Sequence, residues 1–302
     1  MQIAIAYIGV VLIWSTTPLG ITYSVDSLNF IQASAIRMWA SLFLCFVLLK
    51  MWRIPFSFSR PALLGYGAGA IGILGAMLCV YWAGGKVPSG LIAVIWGLTP
   101  MAVSLISLWL IKGHVLSWAK LAGMCIAVLG LALVFSGQIN IAMSMVLGLI
   151  ILMLGVALHG YSSVLLQLQQ SEIHPLAQTT GALAVSAPGY ALVWLLMGGD
   201  LPEAITMKSF IGTAYLTVMG SIVGFMGYFY LLKHLSASTV SLTTLITPVL
   251  ALMLGAAIEN EQLPLETWLG AGVIMAALLV YNHETIMKLL PKMRASVLAK
   301  IK

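Results

Sequence analysis

Charge is what this sequence has least of. Its 302 residues include 14 Lys and Arg and 8 Asp and Glu, 7% in all, against 61% apolar residues. A soluble domain carries about 25% charged residues, because its water-facing shell needs them. A soluble globular protein and a disordered chain are therefore both excluded, and a mean hydropathy of +1.07 points to a polytopic membrane protein. Cysteine is scarce too. Cys45, Cys79 and Cys125 all fall in apolar stretches and have neither disulfide nor metal-site spacing. There is no Walker-type loop, no HExxH, no GxSxG and no cluster of metal ligands, so enzyme chemistry has no place to sit and no cofactor or metal is expected. A channel would show a charged or carbonyl-rich filter, and none is visible. No Lys or Arg precedes the first apolar stretch, so the first helix is expected to be retained rather than cleaved.

What is present is a series of long apolar runs. A helix needs ~20 apolar residues to cross ~30 Å of hydrocarbon. Ten such spans are predicted, over 3–24, 29–50, 62–84, 89–111, 118–136, 145–168, 175–198, 208–232, 237–258 and 265–284. Turn residues mark the breaks, as at Arg53–Pro61, Lys112–Ser117 and Ser136–Asn140. With the N-terminus placed inside, eleven basic residues fall inside: Lys50, Arg53, Arg60, Lys112, Lys120, Lys233, Lys288, Lys292, Arg294, Lys300 and Lys302. Only Lys86 and Lys208 fall outside, and Arg37 lies within a span. That bias predicts cytoplasmic termini. The pI near 9.3 thus reflects membrane topology rather than a nucleic-acid partner. The basic stretch 285–302 reads as a juxtamembrane anchor to anionic lipid.

Residues Val87–Val134 and Leu235–Val280 resemble each other. Aligning Pro100 with Pro248 pairs Thr99 with Thr247 and Trp96 with Thr244, and one fewer loop residue then pairs Gly123 with Gly270. The repeat unit is five helices, so the second copy must enter from the opposite side of the membrane. Two units follow, 1–136 and 145–284. Inverted repeats of this kind recur in secondary transporters, with the binding site between them near the midplane.

A family resemblance rests on these same residues. Ala237-Ser238 running to Pro248, Glu261 thirteen residues beyond that proline and the Gly270 helix resemble the second half of EamA-type carriers of the drug/metabolite transporter superfamily. The first half is similar through Trp14-Ser15, Arg37 and Pro100. The resemblance implies a solute exporter of the bacterial inner membrane, with a cavity lined by helices 1, 3, 4, 6, 8 and 9. Two positions depart from the pattern. Gly113 stands where the first half often has a loop glutamate, and Ala277 stands where Gly130 predicts glycine, implying looser packing of the last helix.

Several residues are candidates for the mechanism. Pro100 and Pro248, near the middles of spans 4 and 9, each remove a helix hydrogen bond, freeing the carbonyls of Trp96 and Thr244. They read either as symmetric hinges or as tolerated kinks. Trp14, Thr17, Pro18 and Ile21 share one helix face, as do His159, Ser162 and Ser163, and Trp14 and His159 stand 145 residues apart. Together with Trp96 and Thr244 they could form an aromatic and hydroxyl-lined pocket, or Trp14 could simply pack and His159 be a bonded core residue. Arg37 reads as snorkelling outward to an anchoring position or as attracting a carboxylate. Tyr81-Trp82 and Tyr228-Phe229-Tyr230 read as interfacial belts or as gates. No Asp or Glu falls mid-span, which argues against a carboxylate proton relay and against lipophilic cations as cargo. The expectation is a carrier for a small amphipathic solute such as an amino acid, as a monomer or homodimer. Its rivals are multidrug efflux and a non-transporting structural or lipid-binding protein.

Overall fold

The computed structural model describes residues 2–136, 143–169, 172–200, 202–258, 264–283 and 287. These form helices and connecting turns. Eight helices are long and apolar enough to cross a membrane: α1 Gln2–Ser24, α2 Phe30–Met51, α3 Arg60–Ala83, α4 Ser89–Leu110, α6 Met143–Gln169, α7 Pro175–Leu196, α8 Met207–His234 and α9 Ala237–Gly255. Two shorter apolar helices, α5 Trp118–Val134 and α10 Leu265–Tyr281, stand between and after them. The residues of the 136–140 break beyond Ser136, Glu261 and the basic residues of 288–302 lie outside the described residues.

Local chemistry sets the helix ends. Asn29 and Gln32 form a reciprocal capping box at α2, the Asn29 side chain accepting from the Gln32 N–H at 2.8 Å. Ser59, Thr206 and Ser236 cap the starts of α3, α8 and α9. Gly113 has φ +78°. A glutamate there would carry its Cβ into the left-handed region, so the turn itself accounts for the missing loop acid.

His174 caps α7, its Nδ1 accepting from the Leu176 N–H at 3.2 Å. Burial, with a smaller push from Lys233, holds its pKa below the ordinary 6.5. The folded state therefore binds fewer protons than the unfolded one just below that value. This contribution to stability is complete above pH ~6.5 and is lost as pH falls. His174→Asn, a cap that does not titrate, is expected to flatten the acid side of a plot of melting temperature against pH. An unchanged slope would refute the assignment.

Both α3 and α8 contain a π-helical stretch, Ile71–Ala76 and Leu216–Val223, whose starts are 145 residues apart. Widened turns leave carbonyls without their usual partners, and hydrocarbon offers no replacement. Neighbouring helices supply one. Tyr190 of α7 donates its hydroxyl to the Ile73 carbonyl at 2.6 Å, and Ser41 of α2 reaches the Thr217 carbonyl at 3.2 Å. Ser162 of α6 donates to the Ala68 carbonyl at 2.7 Å. Tyr190→Phe, in a fully buried site, is expected to cost ~1 kcal/mol by stranding that carbonyl. Unfolding in a single detergent measures it, and no loss would mean the widened turn needs no partner.

The α5–α10 pair is tight, which corrects the expectation of a loosened last helix. A Cβ at Gly270 would lie 2.7 Å from the Gly130 carbonyl oxygen and 2.7 Å from the Val134 nitrogen. Ala277 is fully buried. Two glycines facing each other suffice for backbone contact, so a third is not required.

Candidate functional site

A cavity lies among α1, α3, α4, α6, α8 and α9, with Arg37 entering from α2. Trp14, Thr17, Pro18 and Ile21, predicted to share one face of α1, all line it, as do Trp96 and His159. The rings form a box. His159 lies between Trp96, Tyr228 and Trp14, with centroids 5.2, 5.3 and 5.8 Å away, and Trp14 meets it edge-on. Trp14 and Tyr228 are themselves 5.2 Å apart. Edge-on and tilted ring contacts of this kind hold aromatic surfaces firmly without hydrogen bonds. Ser163 stands behind the box, hydrogen-bonded to the Tyr228 hydroxyl at 2.6 Å and to the His159 carbonyl at 2.7 Å. It orients the ring and does not line the space.

Arg37 is 1% exposed, which overturns the snorkelling reading. Its Nε donates to Ser221 Oγ at 2.8 Å and its guanidinium donates to the Tyr81 hydroxyl at 3.3 Å. The guanidinium carbon also lies 5.7 Å from the Tyr81 ring and 5.9 Å from the Phe225 ring. Among the described residues no carboxylate pairs with it, and it is the one charged side chain lining the cavity. Gly220, within the π-helical stretch of α8, makes room for it. A Cβ at Gly220 would stand 2.8 Å from an Arg37 terminal nitrogen.

The belt reading of the aromatic groups fails for Tyr81, Tyr228 and Phe229. Tyr81 is 0% exposed, Tyr228 and Phe229 are each 5% exposed, and all three point inward. Their partners sit at the rims. Trp82 lies under Lys86, whose Nζ is 4.1 Å from a ring centroid, and Tyr230 lies 4.4 Å from the His234 ring. A helix turns 100° per residue, so Trp82 points away from the side of Tyr81, and Tyr230, two residues beyond Tyr228, points to the opposite side.

Both predicted proline breaks are present. α4 divides into Ser89–Trp96 and Thr99–Leu110, and α9 winds as a 3-10 helix over Ser241–Leu245 before Thr247–Ile258. The carbonyl of Trp96, predicted to be freed by Pro100, accepts from the Thr99 hydroxyl at 2.6 Å. Thr244 does not line the cavity. Its hydroxyl donates to the Ser241 carbonyl at 2.7 Å and reaches the Gly97 carbonyl at 3.4 Å. Thr247 takes its place in the wall. The tighter 3-10 winding turns Thr244 away from the face that a regular helix would give it. The two breaks touch, for a Cβ at Gly97 would lie 3.2 Å from Pro248 Cγ.

The space measures about 60 Å³, far below the ~300–1,000 Å³ of ligand pockets. The aromatic walls must part before a solute larger than a few waters can enter.

Fold and site together define a polytopic helical membrane protein with an aromatic internal cavity holding one buried cation. The chain belongs to the EamA-like transporter family, which it matches over residues 1–136 and 146–282. It is similar to the uncharacterized inner membrane transporter YedA of Escherichia coli (strain K12), 28% identical over 279 residues, or 89% of this chain and 87% of the relative. An uncharacterized transporter of Archaeoglobus fulgidus is 24% identical over 64% of this chain and 68% of its own. A solved crystal structure shares the fold, with TM-score 0.67, covering 92% of this chain and 95% of its own at 14% identity.

Proposed function

We propose that the protein is a secondary transporter of the bacterial inner membrane. Its cargo is a small amphipathic solute bearing a carboxylate, an amino acid or a close analogue, and it exports that solute by alternating access. The observation that carries this reading is Arg37. A buried guanidinium served by two hydroxyls and no acid is an incomplete ion pair, and desolvated charges are retained in membrane interiors where something charged must be met. Trp14, Trp96 and Tyr228 offer apolar surface beside it. An anion with an apolar portion complements both features, whereas a lipophilic cation would be repelled.

On this reading the chain crosses the membrane ten times as two inverted five-helix halves, 1–136 and 145–284, with both termini cytoplasmic. The eleven-to-two distribution of Lys and Arg supports that orientation. The π-helical stretches 145 residues apart and the touching proline breaks support paired halves. Pro100 and Pro248 act as the hinges, and Tyr81 and Tyr228 as gate residues.

Proteoliposome counterflow of labelled amino acids, nucleosides and lipophilic cations, with no pH gradient, tests the proposal. Selective exchange of the carboxylate-bearing solutes is expected. Exchange of the cations alone would overturn the cargo. Pro100→Ala and Pro248→Ala are expected to bind solute while exchanging it roughly tenfold more slowly, since a rocking step rather than a contact is removed. Full exchange in both variants would remove the hinges.

A further inference from the structure

The helices α1 and α8 run side by side, locked at one end by backbone contact and hydrogen bonds and flanked by a crevice toward the other. Near Asp26 they are in backbone contact: a Cβ at Gly212 would lie 2.7 Å from the Ser24 nitrogen and 2.9 Å from the Gly20 carbonyl oxygen. The Ser27 amide and hydroxyl bond Ser209 Oγ at 2.9 and 3.0 Å, and Thr206 Oγ1 donates to Asp26 at 2.9 Å. Toward the other end a crevice of about 750 Å³ is lined by Ile5, Gly9 and Ile13 of α1 and by Val223, Met226 and Gly227 of α8, the two helices still in contact where Gly227 faces Val10. A Cβ at Gly9 would meet nothing within 4 Å. The trough is apolar and about 12 Å long by helix rise.

Its mouth is different. Lys233 Nζ lies 3.1 Å from the Glu172 carboxylate and 2.9 Å from the Glu172 carbonyl, with His174, His234, Trp52 and Tyr230 around them. The Glu172 side chain is 94% exposed, so most of its carboxylate still faces outward. An apolar trough ending in an adjacent acid and base, rimmed by a Trp and a Tyr, has the polarity of a lipid with a zwitterionic headgroup. A purely anionic headgroup would face Glu172. A quaternary ammonium could not donate hydrogen bonds to it.

We propose that this crevice binds one membrane lipid of the phosphatidylethanolamine type, an acyl chain lying along Gly9 and Gly227, the phosphate on Lys233 and the primary ammonium on Glu172. The site is separate from the central cavity and stands whether or not the transport reading does.

Native mass spectrometry of the full-length protein in mild detergent, given phosphatidylethanolamine, phosphatidylcholine or phosphatidylglycerol at equal concentration, tests it. One phosphatidylethanolamine is expected to be retained about tenfold better than either of the others, the equivalent of one charge-assisted hydrogen bond. Glu172→Gln, a surface change that leaves folding intact, is expected to erase that preference. Gly9→Trp, placed where there is open space, is expected to remove the bound lipid. Equal retention of the three lipids, preference for phosphatidylglycerol, or undiminished retention in Gly9→Trp would each overturn the proposal. So would a Gly9→Trp variant that loses solute exchange while keeping its lipid, which would assign the crevice to the solute.

Discussion

Arg37→Met is expected to abolish exchange of carboxylate solutes and, in the solute-free protein, to raise the melting temperature. The two effects have one cause. The guanidinium is 1% exposed and has hydroxyl and ring partners only, so its desolvation is not offset by a counter-charge. Replacing an uncompensated buried charge by an apolar chain of similar length removes that cost, at the smaller expense of the bonds to Ser221 and Tyr81. A bound carboxylate would supply the missing charge, and pairs of this kind are worth about 2–5 kcal/mol when one partner is truncated. A loss of more than thirtyfold in solute affinity is therefore expected. Thermal melting with and without solute reads both effects. A variant that melts lower, and is still stabilised by solute, would show that Arg37 is a structural residue.

Gly270→Ala should carry the largest stability loss among the single-methyl changes named here. The added carbon would stand 2.7 Å from the Gly130 carbonyl oxygen and from the Val134 backbone nitrogen. Both are backbone atoms and neither can swing aside. The α5–α10 pair must move apart, and overpacking of this kind costs about 1–3 kcal/mol. Gly272→Ala, two residues on, meets nothing within 4 Å and serves as the control. Melting both variants in one detergent decides the matter, and equal melting temperatures would mean that α10 is free to shift.

The sequence by itself determined the helices. In hydrocarbon every backbone group must bond within its own segment, so the length of an apolar run and its flanking turn residues locate each helix with little help from elsewhere. The described ends fall within three residues of those predicted. The α1 face of Trp14, Thr17, Pro18 and Ile21 was legible for the same reason, since helical periodicity is local. What only the tertiary structure decided is which polar groups meet. Arg37 finds Ser221 184 residues away and Tyr81 44 residues away, and no local pattern encodes either contact. Thr247 rather than Thr244 faces the cavity because α9 tightens into a 3-10 turn. The π-helical stretch beside Arg37 and its counterpart in α3 keep carbonyls bonded because Ser41 and Tyr190 arrive from other helices to serve them. Apolar length fixes a helix one segment at a time. A buried charge, a widened turn and an aromatic box require partners that are only brought together once the helices have packed.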